Sequence, residues 1–163
     1  MKTVLLFRHG KSDWEADYGN DHERPLAKRG RKAANKMGRW LAQVGPMPDR
    51  VLTSTALRAQ DTVARAAQAG GWTVPIEPDP ALYLAAPAYL IRVMRSMPDE
   101  VETLMLVGHE PGWSETVEAL MGGGSVRFPT AALAHLVCHV DRWEAVTPGC
   151  ATLHALVIPR ALP

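Results

Sequence analysis

Cysteine is scarce in this chain. Of 163 residues only Cys138 and Cys150 carry a thiol, and their spacing matches no metal or redox motif. That excludes a disulfide-stapled scaffold and leaves two small apolar side chains suited to a reducing compartment. Long hydrophobic runs are missing too, since no stretch approaches the roughly 20 apolar residues that a membrane-spanning helix needs. Lys2 precedes the short apolar run Thr3–Phe7, which ends at Arg8 and is too brief for a secretory signal, so a cytoplasmic location is expected. An excess of charge of one sign is also lacking. A formal net charge of +1 leads us to expect neither a nucleic-acid nor a membrane partner. There is no internal repeat and no low-complexity tail. With 47% hydrophobic and 21% charged residues, the expectation is a single globular domain over residues 1–163.

What is present is an alternation of apolar runs and helical patterns. Between Lys28 and Val44, Ala33, Ala34, Met37, Trp40, Leu41 and Val44 recur at helical spacing, and Gly45-Pro46 ends the pattern. Arg50–Thr53 reads as a short strand and Ala56–Ala69 as an alanine-rich helix stopped by Gly70-Gly71. Thr73–Ile76 reads as an edge strand, because Pro75 cannot donate to a central ladder. Pro87 suits the first position of a helix bearing Tyr89, Leu90, Val93, Met94 and Met97 on one face. Thr103–Val107 is a buried strand, followed by a helix after Pro111-Gly112. Ala131–Val140 and Ala151–Ile158 form an antiparallel pair, and Gly122–Ser125 is a flexible loop. Together these elements predict a three-layer α/β/α sandwich around a mostly parallel mixed sheet.

The chemistry gathers at strand ends. Thr3–Phe7 breaks into Arg8-His9-Gly10, and Thr103–Val107 breaks into Gly108-His109. Open α/β sheets carry their ligand crevice at such ends, so the two histidines can converge on one site. A phosphoryl group needs cationic donors around its equatorial oxygens and a nucleophile in line with the leaving group. Arg8 and His9 supply one of each, provided the Gly10 bend aims both at one pocket. Arg58, at the start of the alanine-rich helix, has the planar fork to grip a phosphate bidentately. The helix start after Glu110-Pro111-Gly112 adds backbone donors. Neighbouring guanidinium groups disfavour imidazolium and are expected to keep the histidine neutral near pH 7.

The segments Leu6–Ser12, Thr53–Thr62 and Val107–Pro111 resemble, in order, the Arg-His-Gly signature, the second arginine motif and the second histidine of the histidine phosphatase superfamily. Small size, the Arg24–Gly30 segment and the Pro129–Ala132 and Pro159-Arg160 segments resemble its SixA-type phosphohistidine phosphatase branch. The resemblance implies a phosphoglycerate mutase-like fold, phosphorylation and hydrolysis at His9, and a phosphate clamp of Arg8 and Arg58. His109 would stabilise the transferring group and Ser12 would assist phosphate binding; by position alone, Glu110 and Trp14 are further candidate substrate-site residues. It implies no metal and no cofactor.

One departure bears on the substrate. Broad phosphatase and mutase-like relatives carry a glutamate general acid in a segment corresponding to Ala81–Ala85, which here holds no carboxylate. General acid catalysis contributes about 10²–10⁴-fold, so expelling an alkoxide without it is difficult. An imidazole leaves more readily. The expected activity is therefore hydrolysis of phosphohistidine on a signalling or phosphotransfer protein. A phosphatase for small phosphoesters and a phosphate-binding module without turnover are the alternatives. Asp13, Glu15, Asp21 and Glu110 remain candidate proton sources. His135 and His139 share a strand face but lack a third ligand, and read as polar surface. His22 and His154 carry no signal. Lys28-Arg29-Gly30-Arg31-Lys32 reads as a solvated helix start ahead of a docking role. Trp40, Trp72, Trp113 and Trp143 read as packing residues, while Trp14 lies close enough to His9 to form a pocket rim.

Overall fold

Burial on both faces of the central strand sets the architecture. In the computed structural model, which describes residues 1–163, strand β1 (Lys2–Arg8) sends Val4 and Leu6 to one face and Leu5 and Phe7 to the other, all fully buried. A strand apolar on both faces has to be covered on both. Helices α1 (Lys28–Val44) and α2 (Leu57–Gly70) close one side, packing Met37, Leu41, Val63 and Ala66 onto Leu5, Phe7, Met105 and Val107. Helices α3 (Pro87–Arg95) and α4 (Gly112–Met121) close the other, packing Leu90, Met94, Trp113 and Val117 onto Val4, Leu6, Leu104 and Leu106. Pro87 occupies the first turn of α3, where its missing N–H costs nothing.

The six-stranded sheet runs in the order β3-β2-β4-β1-β5-β6. Strands β2 (Arg50–Ser54), β3 (Ile76–Asp79) and β4 (Thr103–Gly108) lie parallel to β1. Strands β5 (Leu133–Cys138) and β6 (Ala151–Val157) pair antiparallel at the other edge. The sheet is thus mixed and mostly parallel, in an α/β/α sandwich.

The third strand differs from the reading of Thr73–Ile76. It does lie at an edge, but at Ile76–Asp79. Gly71 ends α2 in the left-handed conformation, and Trp72 stays at the helix terminus with its indole N–H donating to the Gly38 carbonyl. The chain therefore joins the sheet only where Ile76 meets Val51. Pro78 falls inside this edge strand, which tolerates a residue that cannot donate. Trp113 and Trp143 are fully buried, in keeping with packing roles. Cys138 and Cys150 are free thiols, Cys138 buried at the end of β5. No helix is long and apolar enough to cross a membrane.

The site follows from this topology. The parallel strands end on the same side, and the chain leaves β1 towards α1 on one face and β4 towards α4 on the other. Because β1 and β4 are neighbours, a crevice opens between their carboxyl ends.

Candidate active site

Backbone hydrogen bonds fasten the two histidine-bearing turns. The His9 N–H donates to the Gly108 carbonyl at 3.0 Å, and the His9 carbonyl accepts from the Ala131 N–H at 2.9 Å. Past His9 the chain runs tight against the first turn of α1. A side chain at Gly10 would meet the Gly30 carbonyl oxygen at 2.7 Å, and one at Gly30 would meet the Lys11 carbonyl oxygen at 2.2 Å. Both positions therefore need glycine for close approach. Thr62 on α2 completes the clasp, its Oγ1 accepting from the Gly10 N–H at 2.9 Å and donating to the Arg58 carbonyl at 2.6 Å.

His9 is only 7% exposed. Its Nδ1 lies 2.7 Å from the Gly10 carbonyl oxygen, which can only accept, so Nδ1 carries the proton. Nε2 is left with its lone pair. Burial pulls the imidazole down from 6.5 to about 4; the Gly10 hydrogen bond opposes this, and Arg58, Arg8 and Arg24 reinforce it. The ring is neutral near pH 7 as expected, but the main cause is loss of solvent, with the guanidinium groups secondary. The His109 ring lies 5.2 Å from that of His9, centroid to centroid, with Nε2 at 2.8 Å from Ser54 Oγ. Burial, then the positive neighbours, lowers His109 to about 3.

The guanidinium groups are held from behind. Arg8 Nη1 donates to the Phe128 carbonyl at 2.7 Å. Arg58 Nη1 and Nη2 donate to the carbonyl and Oδ2 of Asp21 at 2.7 and 3.0 Å. Arg24, also buried, donates through Nε to Ser12 Oγ at 3.0 Å and through Nη1 to Asp21. Tyr83 donates its hydroxyl to Asp21 as well. This hydroxyl, followed by the Arg24 and Arg58 guanidinium groups, holds the Asp21 carboxyl well below the usual carboxylate range, while Asp21 raises the Tyr83 phenol. Only four buried side-chain polar atoms in the chain lack a partner. Three of them, Arg8 Nε, Arg58 Nε and His109 Nδ1, belong to residues of this site. A buried donor left unpaired costs about 1–3 kcal/mol, a cost removed when an oxyanion accepts from it.

The structure brings His9, Arg8, Arg58, His109, Ser12, Glu110 and Trp14 around one pocket of about 570 Å³. Ser12 is buried, with Oγ turned to Arg24. Glu110 spends both carboxylate oxygens on Ser114, accepting from its N–H at 2.7 Å and its hydroxyl at 2.8 Å, and so caps α4. Trp14 stands 61% exposed at the rim, with the Arg24 guanidinium 3.6 Å over its ring, and Leu84 forms another exposed rim position at 60%. Leu84 holds a left-handed φ of 54°, a backbone strain that clusters at functional sites. Four contributors escape the sequence reading as site residues: Arg24, Tyr83, Ser54 and Thr62. Tyr83 comes from the segment noted for its missing carboxylate. His22, without signal in the sequence, packs edge-on against Tyr83 at 4.7 Å. His135 lies beside His154 on the far strands, away from this pocket, and no group of three or more His, Cys, Asp or Glu side chains is placed to hold a metal.

Two histidines and three guanidinium groups converging beyond the carboxyl ends of a mostly parallel sheet define an α/β protein suited to holding an oxyanion against an imidazole. The chain belongs to the histidine phosphatase superfamily, whose branch 1 model matches residues 4–83. It is 39% identical over 163 residues to the uncharacterized Mycobacterium tuberculosis protein Rv1276c, covering 94% of this chain and 99% of that one. Among solved structures, it resembles a candidate phosphohistidine phosphatase SixA from Nakamurella multipartitia, with a TM-score of 0.84 and 25% identity over 97% of this chain and 96% of the other. A similar likeness holds for a candidate SixA from Agrobacterium tumefaciens, with a TM-score of 0.81 and 28% identity over 97% and 98% of the two chains. These likenesses support a phosphatase of the superfamily, with the phosphoglycerate mutase-like fold.

Proposed function

We propose that this protein hydrolyses phosphohistidine carried by another protein, through a phosphohistidine intermediate on His9. The nucleophile is His9 Nε2, since Nδ1 spends its proton on Gly10. Arg8 and Arg58 hold the phosphoryl oxygens, Arg24 adds positive charge through Ser12, and His109 donates from Nδ1 to the transferring group. Ser54 fits that role for His109: its hydroxyl accepts from the Ala56 N–H and can donate to Nε2, which leaves the imidazole proton on Nδ1.

The first step forms a P–Nε2 bond at His9 and breaks the P–N bond of the substrate. The electron pair goes to the leaving ring, which departs as neutral imidazole when its other nitrogen is already protonated. Water then adds to phosphorus and the P–Nε2 pair returns to His9. The water's protons leave with inorganic phosphate or pass to solvent, while Nδ1 keeps its own.

A single observation carries the substrate choice: both carboxylates lining the pocket are engaged as hydrogen-bond acceptors. Asp21 is held ionised by Tyr83, Arg24 and Arg58, and Glu110 accepts twice from Ser114. Expulsion of an alkoxide lacks its proton donor, whereas expulsion of a protonated imidazole needs none. Exposed Trp14 and Leu84 at the rim also suit contact with a protein surface. Turnover of a phosphohistidine-bearing protein, sugar phosphates and an aryl phosphate should be compared at matched concentrations. The expected order puts phosphohistidine first by kcat/KM, and a clear preference for alkyl phosphates contradicts the proposal.

A further inference from the structure

A second concavity, of about 510 Å³, adjoins the His9 pocket and shares Lys11 and Thr130 with it. Six cations line it: Lys11, Arg29, Lys32 and Lys36 from the β1–α1 loop and α1, Arg127 from the loop before β5, and Arg160 near the chain end. No Asp or Glu lines it, and none of the six makes an ion pair. Elsewhere six of the twelve Lys and Arg residues are ion-paired, among them Lys2 with Glu102, Arg50 with Glu77 and Arg65 with Asp61. General basicity does not explain the groove. Of the eighteen Lys and Arg residues six lie here, leaving twelve against seventeen Asp and Glu over the rest of the molecule.

The first turn of α1 sharpens the point. It carries no acidic residue, although the positive end of the helix dipole favours one there, and it carries Lys28, Arg29 and Arg31 instead. Cations placed against a helix dipole cost stability, and such local conflicts concentrate where function requires them. Arg29 and Lys32 of the Lys28–Lys32 cluster are exposed, as a solvated helix start requires, and they also line the groove.

We propose that this groove docks an acidic segment of the phosphohistidine-bearing partner and presents the phosphoryl group to His9, an inference that rests on the substrate reading above. The lining favours a polypeptide. Ala33, Pro129, Ile158 and Pro159 offer apolar contact between the charges, and no aromatic ring is present as a stacking platform for a nucleic-acid single strand. Through Lys11 and Thr130 a bound chain continues into the catalytic pocket. An encounter of this kind is driven by charge and screened by salt.

The test uses the whole chain and an Arg29→Ala/Lys32→Ala/Arg160→Ala variant, whose altered side chains are exposed and outside the His9 pocket. Lys32→Glu alone is the second variant should the triple one melt early. Two phosphohistidine peptides, flanked by acidic or by neutral residues, are compared with free phosphohistidine. The variant should lose at least tenfold in kcat/KM on the acidic peptide, with little change on the neutral peptide or free phosphohistidine. An equal effect on all three, or none, overturns the proposal. Fluorescence anisotropy with an unphosphorylated Glu-rich peptide, its Gln counterpart and a dT oligonucleotide of the same charge decides the groove independently of turnover. Selective, salt-sensitive binding of the Glu-rich peptide, lost in the variants, supports docking. Tighter binding of the oligonucleotide, or undiminished peptide binding by the variants, overturns it. Failure to turn over any phosphohistidine substrate would instead strike the substrate reading, and the anisotropy result would still judge the groove.

Discussion

Arg58 reaches Asp21 twice, through Nη1 to its carbonyl oxygen at 2.7 Å and through Nη2 to Oδ2 at 3.0 Å. A carboxylate beside an oxyanion site has two opposed effects. It fixes the guanidinium that, in the proposed reaction, meets the phosphoryl group, and it lowers the positive potential that draws an anion in. Asp21→Asn separates the two. Inorganic phosphate should inhibit this variant more strongly than the parent, while kcat falls about tenfold, the scale of one charge-assisted hydrogen bond. Steady-state kinetics with phosphate inhibition reads both. Weaker phosphate inhibition would show that Asp21 serves binding alone.

Arg58→Ala should damage turnover far more than folding. The side chain is 3% exposed, yet its hydrogen bonds run to the site residue Asp21 and not into the apolar core. Removing one preorganised donor at a developing charge costs on the order of 10²–10³ in rate. A matched thermal melt should move by only a few degrees. A large drop in Tm with modest loss of turnover would assign Arg58 to stability.

Tyr83→Phe removes the first of the contacts that keep Asp21 ionised. The Asp21 carboxyl should then titrate higher, measurable by carboxyl-carbon NMR. Because the two arginines remain, it should still be ionised near pH 7, and turnover on phosphohistidine should fall only a few-fold. An unmoved Asp21 titration would remove the tyrosine from the account.

Stability should decline on mild acidification for a specific reason. His9 is lowered from 6.5 to about 4 and His109 to about 3, so the unfolded chain takes up protons that the folded site refuses. Their contribution is complete above pH 6.5 and is lost as pH falls from there towards those lowered values. Denaturant midpoints measured from neutral pH down to 4 should fall, and His9→Gln should flatten the decline. An equal slope in the variant would place the effect in other groups.

How much of this was legible in the sequence depends on where the signal lies. Arg8, His9, Arg58 and His109 follow buried strands or open a helix, so their local context announces them. Lys28–Val44 is bounded as the apolar spacing predicts, because Gly45 ends the helix in the way its backbone freedom suggests. The β3 strand is displaced because pairing with Val51 decides its register and local composition does not. Tyr83 and Asp21 are separated by a long stretch of chain and meet only in three dimensions, so no local pattern links them. The cause of the depressed His9 is likewise tertiary, since burial depends on the layers packed around β1. The groove cations come from three separate segments, which is why a near-neutral composition conceals them.

In the proposed reaction, phosphate passes through His9 Nε2. Brief incubation with a labelled phosphohistidine protein, rapid quenching in alkali and separation of the chain from substrate tests it most directly. The expected result is a base-stable, acid-labile label on the protein, mapped to His9 and missing from His9→Ala. A label that persists in His9→Ala, or turnover without any label when hydrolysis of the intermediate is rate-limiting, would contradict it.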